Sequence, residues 1–253
     1  MTSPSITQVL LALVLVGISI GVSRWWQIPV AKDMALGSIR AFIQLVAVGY
    51  ALEIIFDLES LWLISLAILI MILVGSQAAS SRVKKLRGAF PVTFASMIAG
   101  SLFTLAVMLV LDIIPLTARY IIPLAGMIIS NSMNASALSI DRLASDIRSN
   151  ELAIETSLSL GKNWRVASGS LQRAAATTGM ISILNFMKTV GIVALPGAMT
   201  GMILAGAEPL EAVFLQVIVA YMLLSAVTIT SVVAVELTVR KFFTPFHQLR
   251  KFP

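Results

Sequence analysis

The chain has 253 residues, 58% of them hydrophobic and only 12% charged, with a mean hydropathy of +0.96. A soluble domain carries about 25% charge, so a water-soluble globule is excluded and the class is an integral membrane protein. Cysteine is absent, which excludes disulfides, thiolate metal sites and cysteine nucleophiles.

Crossing about 30 Å of hydrocarbon takes about 20 mostly apolar residues. Seven stretches qualify, over residues 6–22, 36–56, 61–79, 90–111, 119–140, 174–205 and 210–237. None alternates polar and apolar residues, so a transmembrane barrel is not expected. The first stretch has no basic residue before it and no clear small-residue cleavage site after it, and reads as a retained helix rather than a signal peptide. Trp25, Trp26 and Trp62 suit a membrane interface, although Trp62 suits packing between helices equally well.

The charges fall between these stretches. Arg24, Lys32 and Arg40 flank the first loop, and Arg82, Lys84, Lys85 and Arg87 make up the third. Arg142, Arg148, Lys162, Arg165 and Arg173 occupy the long segment after the fifth stretch, and Arg240, Lys241, Arg250 and Lys251 the tail. The other loops hold acids: Asp57 and Glu59, Asp112, and Glu208. Of the 18 basic residues, only Arg119 and Lys188 fall off this side. The bias makes that side the cytoplasm, with the N-terminus outside and the C-terminus inside. The net charge of +6 is thus a topology signal and not a nucleic-acid footprint. The expected fold is an all-α polytopic transmembrane bundle of about seven spans. It forms one domain over residues 1–253, multi-pass in a bacterial inner or plasma membrane, with the lipid bilayer as its first partner.

Polar groups inside spans mark functional sites, because hydrocarbon leaves them costly unless paired. In the second span Arg40 and Gln44 share a helix face. Arg40 can snorkel to the inner boundary, while Gln44 lies deeper and needs a partner or a wet path. Glu53 and Asp57 near the outer end form an acidic mouth attractive to a cation, or simply a solvated helix end. In the fifth span Asn131 and Asn134 share a face beside Ser130, and either line a path or clamp helices. The thioethers of Met127 and Met133 would suit a soft metal, though methionine is also ordinary filler.

Residues 141–173 form the one substantial non-spanning segment. Its helical periodicity, interrupted at Gly161, predicts two short helices joined by a turn. Such a hairpin rests on lipid or docks into a soluble partner. Leu160-Gly161-Lys162-Asn163 lacks the upstream glycine and following Ser or Thr of an ATP-binding loop, so no ATP or other cofactor is expected on this chain. In the sixth span Lys188 is costly at mid-bilayer. It is expected to mark the point where the span enters the membrane, after a stretch lying partly along the interface. Pro196 is expected to kink the span, as a packed bend or a solute-lining hinge, with Thr200 beside it. Gly197 and Gly201 offer a face for close helix contact. Glu236 is expected to pair with Arg240 one turn on.

Several longer motifs occur together. They are Gly37-Ser-Ile-Arg40-Ala-Phe-Ile-Gln44, Asn131-Ser-Met-Asn134 running into Asp141-Arg142-Leu143, and Glu155-Thr-Ser-Leu-Ser-Leu-Gly161. Lys188-Thr-Val-Gly-Ile-Val-Ala-Leu-Pro196-Gly197, Met199-Thr200-Gly201, Gly206-Ala-Glu-Pro-Leu-Glu-Ala212 and the tail with Phe243 and His247-Gln-Leu249 complete the set. With them the chain resembles the FetB-type permease family over about residues 30–250. The resemblance implies a membrane subunit of an ATP-binding cassette transporter, two permeases working with two separate ATPase subunits that carry the ATP. Bacterial members are described as iron exporters, and plant relatives are linked to aluminium tolerance and, in one pair, to UDP-glucose transport.

It further implies that Glu155, Gly161 and Lys162 lie in the segment that couples to the ATPase. Thr156 and Ser157 stand where importer permeases have alanines. Arg40, Gln44, Asn131, Asn134, Lys188 and Pro196 become candidates for the path or its gate, joined by Glu53, Asp57 and Thr200. With no cysteine and with its single histidine, His247, in the tail, the chain is a poor ligand set for a bare metal ion. A chelate or a nucleotide-sugar therefore stays open as cargo. An ion-coupled secondary transporter and a helix-gluing scaffold are the rival classes. An enzyme is not expected, because no nucleophile–base set stands out.

Overall fold

A backbone in hydrocarbon must satisfy its own N–H and C=O groups, and a helix does this within one segment. The computed structural model follows that rule. It describes residues 6–58, 60–83, 86 and 88–250, so Glu59, Lys84, Lys85, Arg87 and Lys251 of the charge pattern lie outside the described residues. The described elements are helices, with two isolated bridges, Val190 to Ala194 and Phe243 to Leu249.

The chain divides into two units, Met1–Glu59 and Ser60–Pro253. The first holds α1 (Ile6–Trp25) and α2 (Ala31–Leu58), which contact each other. No residue of α2 is buried. The second holds α3 (Leu61–Arg82), α4 (Phe90–Val110), α5 (Ala118–Ser149), α6 (Glu151–Ser159), α7 (Trp164–Ala167), α8 (Gly169–Thr189), α9 (Gly197–Leu204) and α10 (Pro209–Phe242).

In the second unit α10 packs on α4, α5 and α8, and α5 also packs on α3, α4 and α8. Ile128, Ile140, Leu143, Ile147, Val219, Val239 and Phe242 form its fully buried centre. Small residues let the helices approach closely, as expected where lipid supplies no hydrophobic drive between them. Ser96 and Ser136 hydroxyls meet at 3.1 Å between α4 and α5, and the Thr93 hydroxyl donates to the Ser76 carbonyl of α3 at 3.0 Å. Gly100 and Gly179 lie where a side chain could not. A Cβ on Gly100 would stand 2.6 Å from the Ala226 carbonyl oxygen. One on Gly179 would stand 2.9 Å from that of Ala135 and 2.6 Å from the Ser231 hydroxyl.

Six helices are long and apolar enough to cross a membrane: α1, α2, α3, α4, α5 and α10. The protein is a multi-pass membrane protein of all-α architecture. At 1.5 Å per residue the 32 residues of α5 run about 48 Å and the 34 of α10 about 51 Å, both longer than the hydrocarbon. Their charged C-terminal turns, with Asp141 to Arg148 on α5 and Glu236 to Lys241 on α10, therefore project beyond it.

The stretch expected as one crossing, over 174–205, is broken into two helices in the structure. α8 ends at Thr189, seven residues intervene, and α9 is a separate helix of 8 residues. Gln172, Arg173, Thr177, Thr178 and Asn185 make α8 less apolar over a membrane-length stretch than the other six. Residues 174–187, expected partly along the interface, lie within α8, with Ala175, Gly179 and Ile183 buried. The segment expected to leave the bundle at 141 does so later, because α5 continues unbroken to Ser149.

Candidate functional site

The break between α8 and α9 is built by local backbone chemistry. Val190 leaves the helix in an extended conformation, and Gly191 has φ +81°, which favours glycine. The Ile192 and Val193 N–H groups donate to the Thr189 carbonyl at 3.2 and 2.9 Å, and the Gly191 N–H donates to Ala194 at 3.0 Å. Pro196 does not kink a helix, as the sequence suggested. It is the N-cap of α9, at φ −64° and ψ 149°, where its missing N–H costs no helical bond. Thr200 turns its hydroxyl back to the carbonyls of Pro196 and Gly197, at 3.2 and 3.1 Å. Lys188 sits exposed in the last turn of α8, where a cation suits the negative end of the helix dipole.

A cavity of about 350 Å³ lies between this break and α10. Met187, Val190, Gly191 and Met199 line one side; Gln216 and Tyr221 of α10 are on the other. Gln216 is 6% exposed, and its side-chain carbonyl oxygen has no hydrogen-bond partner. An orphan buried acceptor costs about 1–3 kcal/mol, a cost relieved if the side chain turns its amide toward a polar solute in the cavity. The volume is at the small end of ligand sites. An amide carbonyl and two thioethers can share a weakly held cation, and the amide and phenol can hydrogen-bond an organic solute.

A second cavity, of about 280 Å³, is lined by Arg82, Asn134, Asp141 and Ser182 together with Ala137 and Leu138. Arg82 donates to the Asn134 side-chain oxygen at 2.8 Å, joining α3 to α5. Asn131, one turn earlier, instead donates to its own helix, to the Met127 carbonyl at 2.8 Å. The two asparagines share a helix but not a task.

The model of an uncharacterised protein family, UPF0014, matches residues 6–243. The chain belongs to that family. It is similar to the UPF0014 membrane protein YjkA of Bacillus subtilis, 37% identical over 241 residues, covering 95% of this chain and 96% of the relative. It is also similar to the "Probable iron export permease protein FetB" of Escherichia coli, 36% identical over 251 residues, 98% of this chain and 97% of the relative. Protein ALUMINUM SENSITIVE 3 of Arabidopsis thaliana is 35% identical over 239 residues, 94% of this chain and 88% of the relative. No solved structure matches.

In this UPF0014 protein the remaining candidates fall into separate places. Arg40, Gln44, Glu53 and Asp57 are exposed along α2 in the first unit. Glu155 is exposed on α6, and Lys162 follows Gly161, whose φ of +81° makes the turn before α7. Glu236 does pair with Arg240, at 2.7 Å, and it also reaches Arg165 at 3.3 Å, tying α7 to α10. Gly197 and Gly201, expected to support close helix contact, have nothing within 4 Å of an added Cβ.

The thioethers at the cavity are Met187 and Met199; neither Met127 nor Met133 lines it. Among the described residues no group of three or more His, Cys, Asp or Glu could hold a metal ion. Gln216 is the site residue the sequence reading passed over. The signal was present, since Gln216 is a strongly polar residue well inside the apolar run of the last span.

Proposed function

We propose that this chain is the membrane-spanning permease subunit of an ATP-binding cassette exporter that moves iron out of the cytoplasm. A separate ATPase subunit supplies the energy, and two permeases pair with two ATPases. The single observation that carries the transport reading is the small-solute cavity at the α8–α9 break, lined by Gln216, whose side-chain carbonyl is buried without a partner. Broken helices beside a cavity are how membrane bundles expose polar groups to a solute without exposing them to lipid. The iron and the ATPase come from the near full-length similarity to a relative named as an iron export permease.

The topology that fits places the N-terminus outside, the C-terminus inside and the α6–α7 segment in the cytoplasm. ATP binding moves that segment through Glu155, Gly161 and Lys162. The motion passes along α8 to the break at Pro196 and Thr200, where solute changes side. Asn131, Asn134 and Lys188 flank this route. Arg40 and Gln44 at the inner half of α2, with Glu53 and Asp57 at its outer half, serve as path or gate.

One observation favours a second cargo, a metal chelate or a nucleotide-sugar. The cavity offers amide, thioether and phenol groups rather than carboxylates. An ion-coupled mechanism is less favoured: among the described residues the buried polar side chains are Ser, Thr and Gln, with no acid to carry a proton.

The test is ATP-dependent iron uptake into inside-out proteoliposomes holding this chain and its partner ATPase, with a hydrolysis-dead ATPase as control. Uptake needing the live ATPase is expected. ATP turnover in an intact complex without uptake would remove iron as cargo. Glu155→Lys should abolish uptake while leaving the fold intact; undiminished uptake in that variant would sink the coupling assignment.

A further inference from the structure

At the other end of α10 the fold gathers three arginines from distant parts of the chain. Arg165 comes from α7, Arg240 from the last turn of α10, and Arg250 from the tail. With Trp164 and Phe243 they line a cavity of about 270 Å³. The tail reaches it by folding back. Phe243 bridges Leu249, the Thr244 N–H donates to Gln248 at 2.8 Å, and the Arg250 N–H donates to Phe242 at 2.8 Å.

Two of the three guanidinium groups, those of Arg165 and Arg240, are held in place. The Glu236 carboxylate accepts from Arg240 at 2.7 and 2.9 Å and from Arg165 at 3.3 Å. The Arg165 guanidinium lies 5.0 Å over the Trp164 ring, which stacks on Phe243 at 5.7 Å. One carboxylate against three guanidiniums leaves the pocket strongly positive. Planar forks fixed in this way match a phosphate group better than flexible lysines would.

We propose that this pocket binds the phosphate of an anionic phospholipid headgroup. The pocket stands at the end of a membrane-length helix, on one of its projecting charged turns. The two elements that present Arg165 and Arg250 also present apolar groups, Val166 at 62% and Phe246 at 83% exposure. Basic groups beside exposed apolar ones meet both layers of the headgroup boundary, which a soluble phosphate does not need. The site ties the α6–α7 segment to the membrane surface, and its occupant is independent of the solute carried at the α8–α9 break.

The full chain, purified in detergent and exchanged into equal phosphatidylglycerol and phosphatidylcholine, should retain phosphatidylglycerol preferentially by native mass spectrometry. Arg250→Gln should lower that retention roughly fivefold, the effect of one basic residue near an anionic surface, and Arg165→Gln should do likewise. Arg173→Gln, an exposed base on α8 outside the pocket, should leave it unchanged. Arg250→Gln keeps the backbone bond to Phe242, so its fold is retained, and an unchanged melting temperature checks this.

Equal retention of the two lipids overturns the proposal. So does an equal loss in Arg173→Gln. Displacement of the lipid by the same concentration of soluble glycerol phosphate would make the ligand a free phosphate instead. Loss of ATPase copurification in Arg250→Gln, with lipid retention intact, would assign the pocket to an acidic protein surface.

Discussion

α8 meets α10 in two different ways along its length. Around Gly179 α8 is wedged so closely against both α10 and α5 that a Cβ would collide with the Ser231 hydroxyl of α10 and with the Ser139 hydroxyl and Ala135 carbonyl of α5. From Met187 onward the same helices part around a cavity of about 350 Å³. Small residues serve opposite ends in the two places. At Gly179 the missing side chain makes room for a neighbour; at Gly191 it permits a left-handed backbone, with nothing within 4 Å. A helix pair that is locked at one end and open at the other can change the open end without losing its packing.

The strongest way to break this comparison is to fill the locked end. Gly179→Ala and Gly100→Ala should each cost about 1–3 kcal/mol, because backbone carbonyls must move to admit the methyl group. The readout is the melting temperature of the purified protein in detergent. Gly197→Ala and Gly201→Ala, in open space on α9, should stay within about 0.5 kcal/mol of the parent. If Gly179→Ala melts with Gly201→Ala, the closed and open ends are not different.

A smaller effect sharpens the open end. Gln216→Leu removes an acceptor that has no partner, so it should leave stability unchanged or raise it by up to about 1 kcal/mol. Solute flux in proteoliposomes should fall roughly tenfold, the equivalent of one lost hydrogen bond of about 1.4 kcal/mol. A structural glutamine gives the reverse pattern, with stability lost and flux following it.

The locked end was legible in the sequence as a class of packing, and the open end only as a disturbance. Apolar runs of membrane length gave six of the helices, because hydrocarbon thickness sets their length regardless of neighbours. Pro196 and the glycines around it announced irregularity. They did not say whether the helix bends or stops, since that depends on where the freed backbone bonds go. The bonds of Ile192 and Val193 to Thr189 decide it. Gln216 stood out by polarity alone, but its value comes from facing a cavity rather than a partner. The Glu236–Arg240 pair was readable from i,i+4 spacing, whereas the third member, Arg165, lies 71 residues away and needed the fold.

The smallest expected effect separates clamping from solute contact at Asn134. Its side-chain oxygen accepts from Arg82 across α3 and α5 at 2.8 Å, but the pair is solvent-exposed. An exposed bond of this kind contributes about 0.5–1 kcal/mol. A double-mutant cycle of Arg82→Gln and Asn134→Ala should therefore show a coupling of that size in melting experiments, and Asn131→Ala should show none with Arg82→Gln. Asn131 spends its amide on its own helix, so it has nothing to couple with across the interface. Flux adds the second axis. If Asn134 only clamps, Asn134→Ala and Arg82→Gln lower flux equally, since each removes the same bond. If Asn134 also touches solute in the cavity it lines, its own substitution lowers flux further while the measured coupling stays the same, and the path then extends from the break down α5 toward Asp141.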